Sequence, residues 1–99
     1  MKYEILIRPE AEFEIEQAHN WYEKQRIGLG ANFILCVEEG LAKIKRSPQT
    51  YPIVYKKVRR ILVRRFPYGI FYFIDGEVVV VIAVFHSHRD PMQWKSRII

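Results

Sequence analysis

A chain of 99 residues, 49% apolar and carrying two Trp, six Tyr and six Phe, holds enough core material for one domain, which excludes general disorder and leaves no room for a second. Cys36 is the only cysteine, so an internal disulfide is excluded, and the longest apolar run, Val78 to Phe85, is far too short to span a bilayer. The net charge is +5, and it is unevenly spread: residues 1–42 hold four Lys/Arg against eight Asp/Glu, residues 43–99 twelve against three.

Lys2 to Arg8 sets Tyr3, Ile5 and Ile7 against Lys2, Glu4, Leu6 and Arg8, an alternation that predicts a strand. The start of the chain leads into Glu10, Glu12, Glu14 and Glu16 without an apolar core, so no signal peptide is expected, and a soluble, cytoplasmic protein in a reducing compartment fits. Pro9 sits where a first helical residue belongs, with Glu10 and Glu12 near the positive end of the helix dipole. From Pro9 to about Arg26 one apolar stripe runs through Ala11, Ile15, Ala18 and Tyr22. Phe13 points to nearly the opposite side and Trp21 to a flank, so at least one of them is surplus to the stripe and available as a partner anchor; a single exposed aromatic is also common and needs no explanation.

Gly28-Leu29-Gly30 interrupts the pattern, and a second helix is predicted to about Arg46 with Phe33, Val37, Leu41 and Ile44 inward and Cys36 as a small buried hydrophobe. Gly40 suggests a close crossing over the first helix, while Lys43, Lys45 and Arg46 suit the carbonyl end and Ser47-Pro48 stops it. Two helices with a short connection form a hairpin, one face of which must cover a sheet.

After Tyr51-Pro52, the stretches Ile53 to Lys57, Val58 to Phe66, Ile70 to Ile74 and Glu77 to Phe85 are all rich in β-branched or aromatic residues. Pro67-Tyr68-Gly69 reads as one turn and Asp75-Gly76 as a two-residue hairpin, so these strands form an antiparallel meander. The apolar run Val78 to Phe85 can be covered on both faces only as a central strand, and its free side is the place for the first strand to pair. Asp90-Pro91 is a helix-start signal, with Asp90 capping a short helix through Trp94 and Trp94 folding back as a lid on the sheet.

The densest ionisable cluster follows the central strand directly: His86, His88, Arg89 and Asp90. His86 and His88 alternate, so both can project to one side, and histidine titrates near neutral pH. With Arg59, Arg60, Arg64, Arg65 and Arg89 on neighbouring elements, the set would suit RNA phosphodiester cleavage, one group taking the 2′-hydroxyl proton, another protonating the leaving 5′-oxygen, and guanidinium groups stabilising the phosphorane. The other reading has one histidine packed and the other solvated. No ligand spacing completes a metal site, and no nucleotide-binding glycine motif is present, so neither a metal nor a cofactor is expected.

Between Lys43 and Arg65 there are nine basic residues (Lys43, Lys45, Arg46, Lys56, Lys57, Arg59, Arg60, Arg64, Arg65) and no acid. Such a block points to a polyanionic partner, nucleic acid or an acidic protein segment, or else to a strand edge protected by charge.

The order of Arg8-Pro9-Glu10-Ala11, the paired helices, Ser47-Pro48, Tyr51-Pro52, Arg64-Arg65-Phe66-Pro67-Tyr68 with Tyr72, and Val84-Phe85-His86-Ser87-His88-Arg89-Asp90-Pro91 with Trp94 resembles the RelE/ParE superfamily of bacterial type II toxin-antitoxin toxins. The resemblance covers nearly the whole chain. It implies a single α+β domain, ordered β-α-α-β-β-β with a short C-terminal helical turn, its two-helix hairpin packed on a mainly antiparallel sheet. It also implies a growth-inhibiting, plasmid-stabilising toxin, neutralised in a hetero-oligomer by a cognate acidic antitoxin that wraps helices and sheet. ParE-like members inhibit DNA gyrase; RelE-like members cut mRNA on the ribosome.

Lys56, Lys57, Arg59 and Arg60 lie about where the RelE-like basic pair falls, whereas Gly69 replaces the arginine usual after the Pro67-Tyr68 turn, and Gln93 and Trp94 occupy the C-terminal tyrosine region. The first expectation is therefore a non-enzymatic, gyrase-inhibiting toxin that binds through Phe13, Trp21, Lys56, Lys57, Arg59, Arg60, Arg64, Arg65 and Arg89. The alternative is a ribosome-dependent mRNA endonuclease with His86, His88, Arg64 and Arg59 as its site, and Arg89 beside them. A plain basic RNA-binding domain stands outside both.

Overall fold

The computed structural model describes residues 2–97. In chain order the elements are β1 (Glu4–Ile7), α1 (Pro9–Gln25), α2 (Leu29–Arg46), β2 (Ile53–Tyr55), β3 (Val58–Leu62), β4 (Tyr68–Asp75), β5 (Val78–His86) and α3 (Met92–Lys95). The strands form one sheet in the order β1-β5-β4-β3-β2. All neighbours are antiparallel except β1, which pairs in parallel with the first half of β5 from Glu4↔Val78 to Ile7↔Val81. The apolar run is thus central, as its composition requires. No helix among the described residues is long and apolar enough to cross a membrane.

Pro9 opens α1 with Glu10 and Glu12 in its first turn, and the helix lays Ala11 and Ala18 in the core. Gly28, at φ 90°, takes the left-handed turn that L side chains avoid, and the chain re-enters a helix at once. The Glu23 carboxylate receives the Gly28 and Gly30 N–H groups at 3.0 Å each, satisfying amides that the start of α2 leaves free. The tight crossing of the two helices falls at Gly30, where a Cβ would stand 2.7 Å from the His19 carbonyl oxygen. Gly40, expected to mark that crossing, instead faces the sheet: its neighbours are Ile70 and Ile61.

The strand boundaries at the turns differ from the sequence reading. β3 stops at Leu62, because Arg64 and Arg65 form the turn and Arg65 adopts φ 72°, while Tyr68 and Gly69 lie inside β4. Lys56 and Lys57 are a turn between β2 and β3 rather than strand, with Lys56 at φ 51°. In the β4–β5 hairpin Asp75 pairs with Val78, so the two turn residues are Gly76 and Glu77; Gly76 at φ 62° fits the first position of a type II′ turn.

A bulge in β5 shapes the sheet. Phe71 pairs with Ala83 but Tyr72 pairs with Val81, so Ile82 is the extra residue. Val79, Val81 and Val84 face the helices, whereas Val80, Ile82, Ala83 and Phe85 face the opposite side. That second side is closed by α3: Trp94, 5% exposed, stacks on Phe71 with ring centroids 4.4 Å apart. Asp90 acts as the cap expected of it, its Oδ1 receiving the Met92 N–H at 3.0 Å. Cys36 is buried and free.

Candidate functional site

β1 accompanies β5 only as far as Val81, because the chain turns at Arg8 and Pro9 into α1. The second half of β5 would otherwise present an unpaired edge. Two side chains take the place of a strand there: Glu14 accepts the Val84 N–H at 2.9 Å and Arg97 donates to the Ile82 carbonyl at 2.9 Å. They also pair with each other, Arg97 Nη2 to Glu14 Oε2 at 2.7 Å and Nη1 to Oε1 at 3.1 Å. The side chains are 19% and 10% exposed, so the fork-to-fork pair is held in a largely dehydrated place. Arg8 completes the tie by donating to the Arg97 carbonyl at 3.3 Å.

Beyond this tie an open groove of about 1170 Å³ runs between α1 and the end of the sheet. It brings Phe13 and Trp21 of α1, 60% and 57% exposed, onto the same surface as Tyr68, His86, Arg89 and Arg97. Trp21 packs edge-on against Tyr22, which continues through Phe33, Phe66 and Tyr68 as a cluster of rings. Burial pushes the Tyr22 hydroxyl above its ordinary pKa, with Tyr68 adding to the effect, and burial raises Tyr68 likewise.

His86 ends β5 on the ridge between this groove and a second, smaller recess of about 220 Å³ on the far side of the sheet. Its ring lies 5.3 Å from that of His88, and its Nδ1 receives the His88 backbone N–H at 3.1 Å. In the neutral ring this places the proton on Nε2. Arg89 extends over the Phe85 ring at 5.1 Å and borders both recesses.

Of the remaining candidates, only Arg60 shares a recess with a histidine. Arg59 lies on the helix side of β3, where its guanidinium donates to the Tyr51 and Gln49 carbonyls at 2.6 and 3.1 Å and holds that connection against the sheet. Arg64 pairs with Glu39 of α2 at 2.8 Å, which raises its own pKa and holds the Glu39 carboxyl below the usual carboxylate range. Arg65 is exposed in the β3–β4 turn. Lys56 and Lys57, at the β2–β3 turn, rest on the rings of Tyr55 and Phe73 at 5.3 and 4.2 Å. Arg60, one residue from Arg59, points to the opposite side and lines the small recess. No group of three or more His, Cys, Asp or Glu that could hold a metal occurs among the described residues.

Sequence reasoning passed over Glu14, Arg97 and Lys95. Glu14 carried a signal: it is the one acid three residues after Ala11 and four before Ala18, inside the buried stripe, and an acid there requires a buried cation.

The family model of the ParE toxin of the type II toxin-antitoxin system, parDE, matches residues 5–91. No curated protein matches the chain. Among solved structures, a chain of the chromosomal ParDE system from P. aeruginosa aligns with a TM-score of 0.77 at 10% identity, covering 86% of this chain and 96% of that one. The E. coli toxin RelE in its free state, as a double arginine-to-alanine mutant, aligns with a TM-score of 0.75 at 19% identity over the whole of both chains. The isolated E. coli RelE toxin gives 0.64 at 21% identity over 98% of this chain and 99% of that one. The structural likenesses establish the RelE/ParE fold, and the sequence match over nearly the full length establishes the family: this chain belongs to the ParE toxins of type II toxin-antitoxin systems.

Proposed function

We propose that this toxin acts by binding rather than by cutting, with DNA gyrase as its target and an acidic antitoxin as its neutralising partner. The observation that carries this reading is the engagement elsewhere of Arg59 and Arg64, the two guanidinium groups the nuclease reading assigns to its site, although Arg60 and Arg89 share a recess with His86. Arg59 is bound to the Gln49 and Tyr51 carbonyls and Arg64 to Glu39. What remains exposed instead is a groove with two aromatic anchors and a basic end, the kind of surface that holds a protein partner. The basic half of the chain adds attraction for DNA or for an acidic antitoxin.

A second reading, a ribosome-dependent mRNA endonuclease of the RelE kind, draws its support from the His86 and His88 rings lying 5.3 Å apart. The two are separated by inducing the chain alone in a bacterial host, together with His86→Ala/His88→Ala and Phe13→Ala/Trp21→Ala double variants. The binding reading expects DNA-damage signalling, loss of gyrase supercoiling with the purified toxin, undiminished toxicity of the histidine variant and loss of toxicity in the aromatic one. Messenger RNA cut within translated codons, with a harmless histidine variant, overturns it.

A further inference from the structure

We propose that the outer edge of β1 pairs with the same edge of a second copy of this chain, joining two sheets into one across a twofold axis. The proposed target binding requires no second copy, so the proposal goes beyond it.

β1 closes one side of the sheet, and among the described residues no strand lies beyond it. Its parallel ladder with β5 fixes which backbone groups are left over. The Glu4 N–H donates to the Glu77 carbonyl at 2.9 Å and the Arg8 N–H to the Val81 carbonyl at 3.0 Å, so Glu4, Leu6 and Arg8 turn their backbone groups toward β5. Ile5 and Ile7 alternate with them and turn theirs outward. An edge of this kind is a template for another strand. The opposite edge of the sheet is protected: β2 is three residues long, follows Pro52 and has an irregular register with β3.

The side chains select the strand that fits. Tyr3, Ile5 and Ile7 pack into the core beneath the helices, whereas Glu4, Leu6 and Arg8 lie on the other face, Arg8 over the Phe73 ring. Leu6 is 55% exposed. Glu4 and Arg8 carry opposite charges, and among the described residues neither is in an ion pair. Four residues of extended chain hold them about 13 Å apart, too far to pair within one copy. An antiparallel second strand brings them together.

The open registers are those that place the outward-facing Ile5 and Ile7 in hydrogen-bonded pairs, and charge separates them. An axis through Glu4 sets two carboxylates face to face. An axis through Ile5 sets Lys2 against Arg8 and Leu6 against Glu4, and one through Ile7 needs an N–H from Pro9, which has none. An axis through Leu6 sets each Glu4 against the Arg8 of the other copy and Leu6 against Leu6, while Ile5 and Ile7 exchange backbone bonds across the seam. This register alone pairs both charges and covers the exposed leucine. Twofold pairing closes on itself, so assembly stops at two copies. The paired edge is short, which makes the association weak and reversible.

The test is analytical ultracentrifugation of the full chain, made by cell-free synthesis, over a concentration series reaching about 1 mM, where even a millimolar dissociation constant leaves a large share paired. Wild type should pass from monomer to dimer. Glu4→Arg should weaken dimerisation roughly tenfold, because it sets arginines opposite each other at two places. Arg8→Glu should do the same with carboxylates, and an equimolar mixture of the two variants should dimerise again, since each meets the opposite charge. Arg8 also holds the Arg97 carbonyl, so if Arg8→Glu does not fold, cross-linking replaces the mixture. Leu6→Cys should then form a disulfide-linked dimer in air, and Glu4→Cys, which faces Arg8 across the seam, should not; Cys36 is buried and adds no background. A monomer at every concentration, a dimer indifferent to Glu4→Arg, growth beyond two copies, or equal cross-linking of the two cysteine variants overturns the proposal.

Discussion

Glu14→Ala is expected to be among the most damaging single changes in α1. The substitution removes the carboxylate that answers Arg97 and the acceptor of the Val84 N–H in one step. Stranding a buried ion-pair partner costs about 3–5 kcal/mol, and with Arg97 still 19% exposed and able to turn outward the lower half of that range applies. The orphaned Val84 amide adds about 1 kcal/mol. A total near ~4 kcal/mol is a large share of the ~5–15 kcal/mol that holds a domain folded. At about 4–8 °C per kcal/mol, the melting temperature should fall by at least ~15 °C.

Thermal and urea unfolding followed by far-ultraviolet circular dichroism measures the loss. The cycle with Arg97→Ala isolates the pair, whose coupling should reach at least ~1.5 kcal/mol. Glu14→Gln, which keeps an acceptor for Val84 but no charge, should fall about midway. A loss under ~0.5 kcal/mol with no coupling would show that the pair behaves as an exposed surface bridge and that β5 needs no side-chain substitute for a strand.

Three further outcomes follow from the core and the helix connection. Gly30→Ala should destabilise by about 1–3 kcal/mol in urea titration, since the added Cβ meets the His19 carbonyl and backbone cannot yield; a gain in stability would contradict this. The Gly28 N–H, with that of Gly30, holds the Glu23 carboxyl below its ordinary 4.5, so its contribution is present above that pH and lost as pH falls through the depressed value. The stability gap between wild type and Glu23→Gln should therefore narrow on acidification, and a gap independent of pH refutes the linkage. Burial pushes Tyr72, fully buried and donating to the Pro48 carbonyl at 2.7 Å, up to about 12. Stability should be intact below the ordinary 10.0 and lost as pH rises from there towards about 12; Tyr72→Phe should remove that alkaline loss and cost roughly 1–2 kcal/mol near neutrality, both read from urea midpoints.

Periodicity carried most of the fold because burial here is nearly regular: the Ala11, Ile15, Ala18, Tyr22 stripe and the doubly covered Val78 to Phe85 run both stand where their pattern puts them. Strand ends were less legible, since a positive φ at Lys56 and at Arg65 is imposed by the turns and not announced by residue type. Pattern also could not separate Arg59 from Arg60. One residue along a strand reverses the side, so Arg59 clamps a connection while Arg60 faces the small recess on the α3 side. The bulge at Ile82 is equally silent in a run of β-branched residues, yet it decides which of Ala83 and Val84 meets the helices.

The parallel pairing of β1 with β5 bears on when this molecule becomes a toxin. The centre of the sheet joins the first strand to the last, and the Glu14–Arg97 tie joins positions 83 residues apart. Contacts of such separation form late, after the loops between them have closed. A nascent chain can build its helical hairpin early, but the groove beside Phe13 and Trp21 has no second wall until Val84, His86 and Arg97 have been synthesised. The surface on which the proposed binding would depend is therefore assembled only once residues 84–97 are in place, and a chain holding the helical hairpin alone cannot present it.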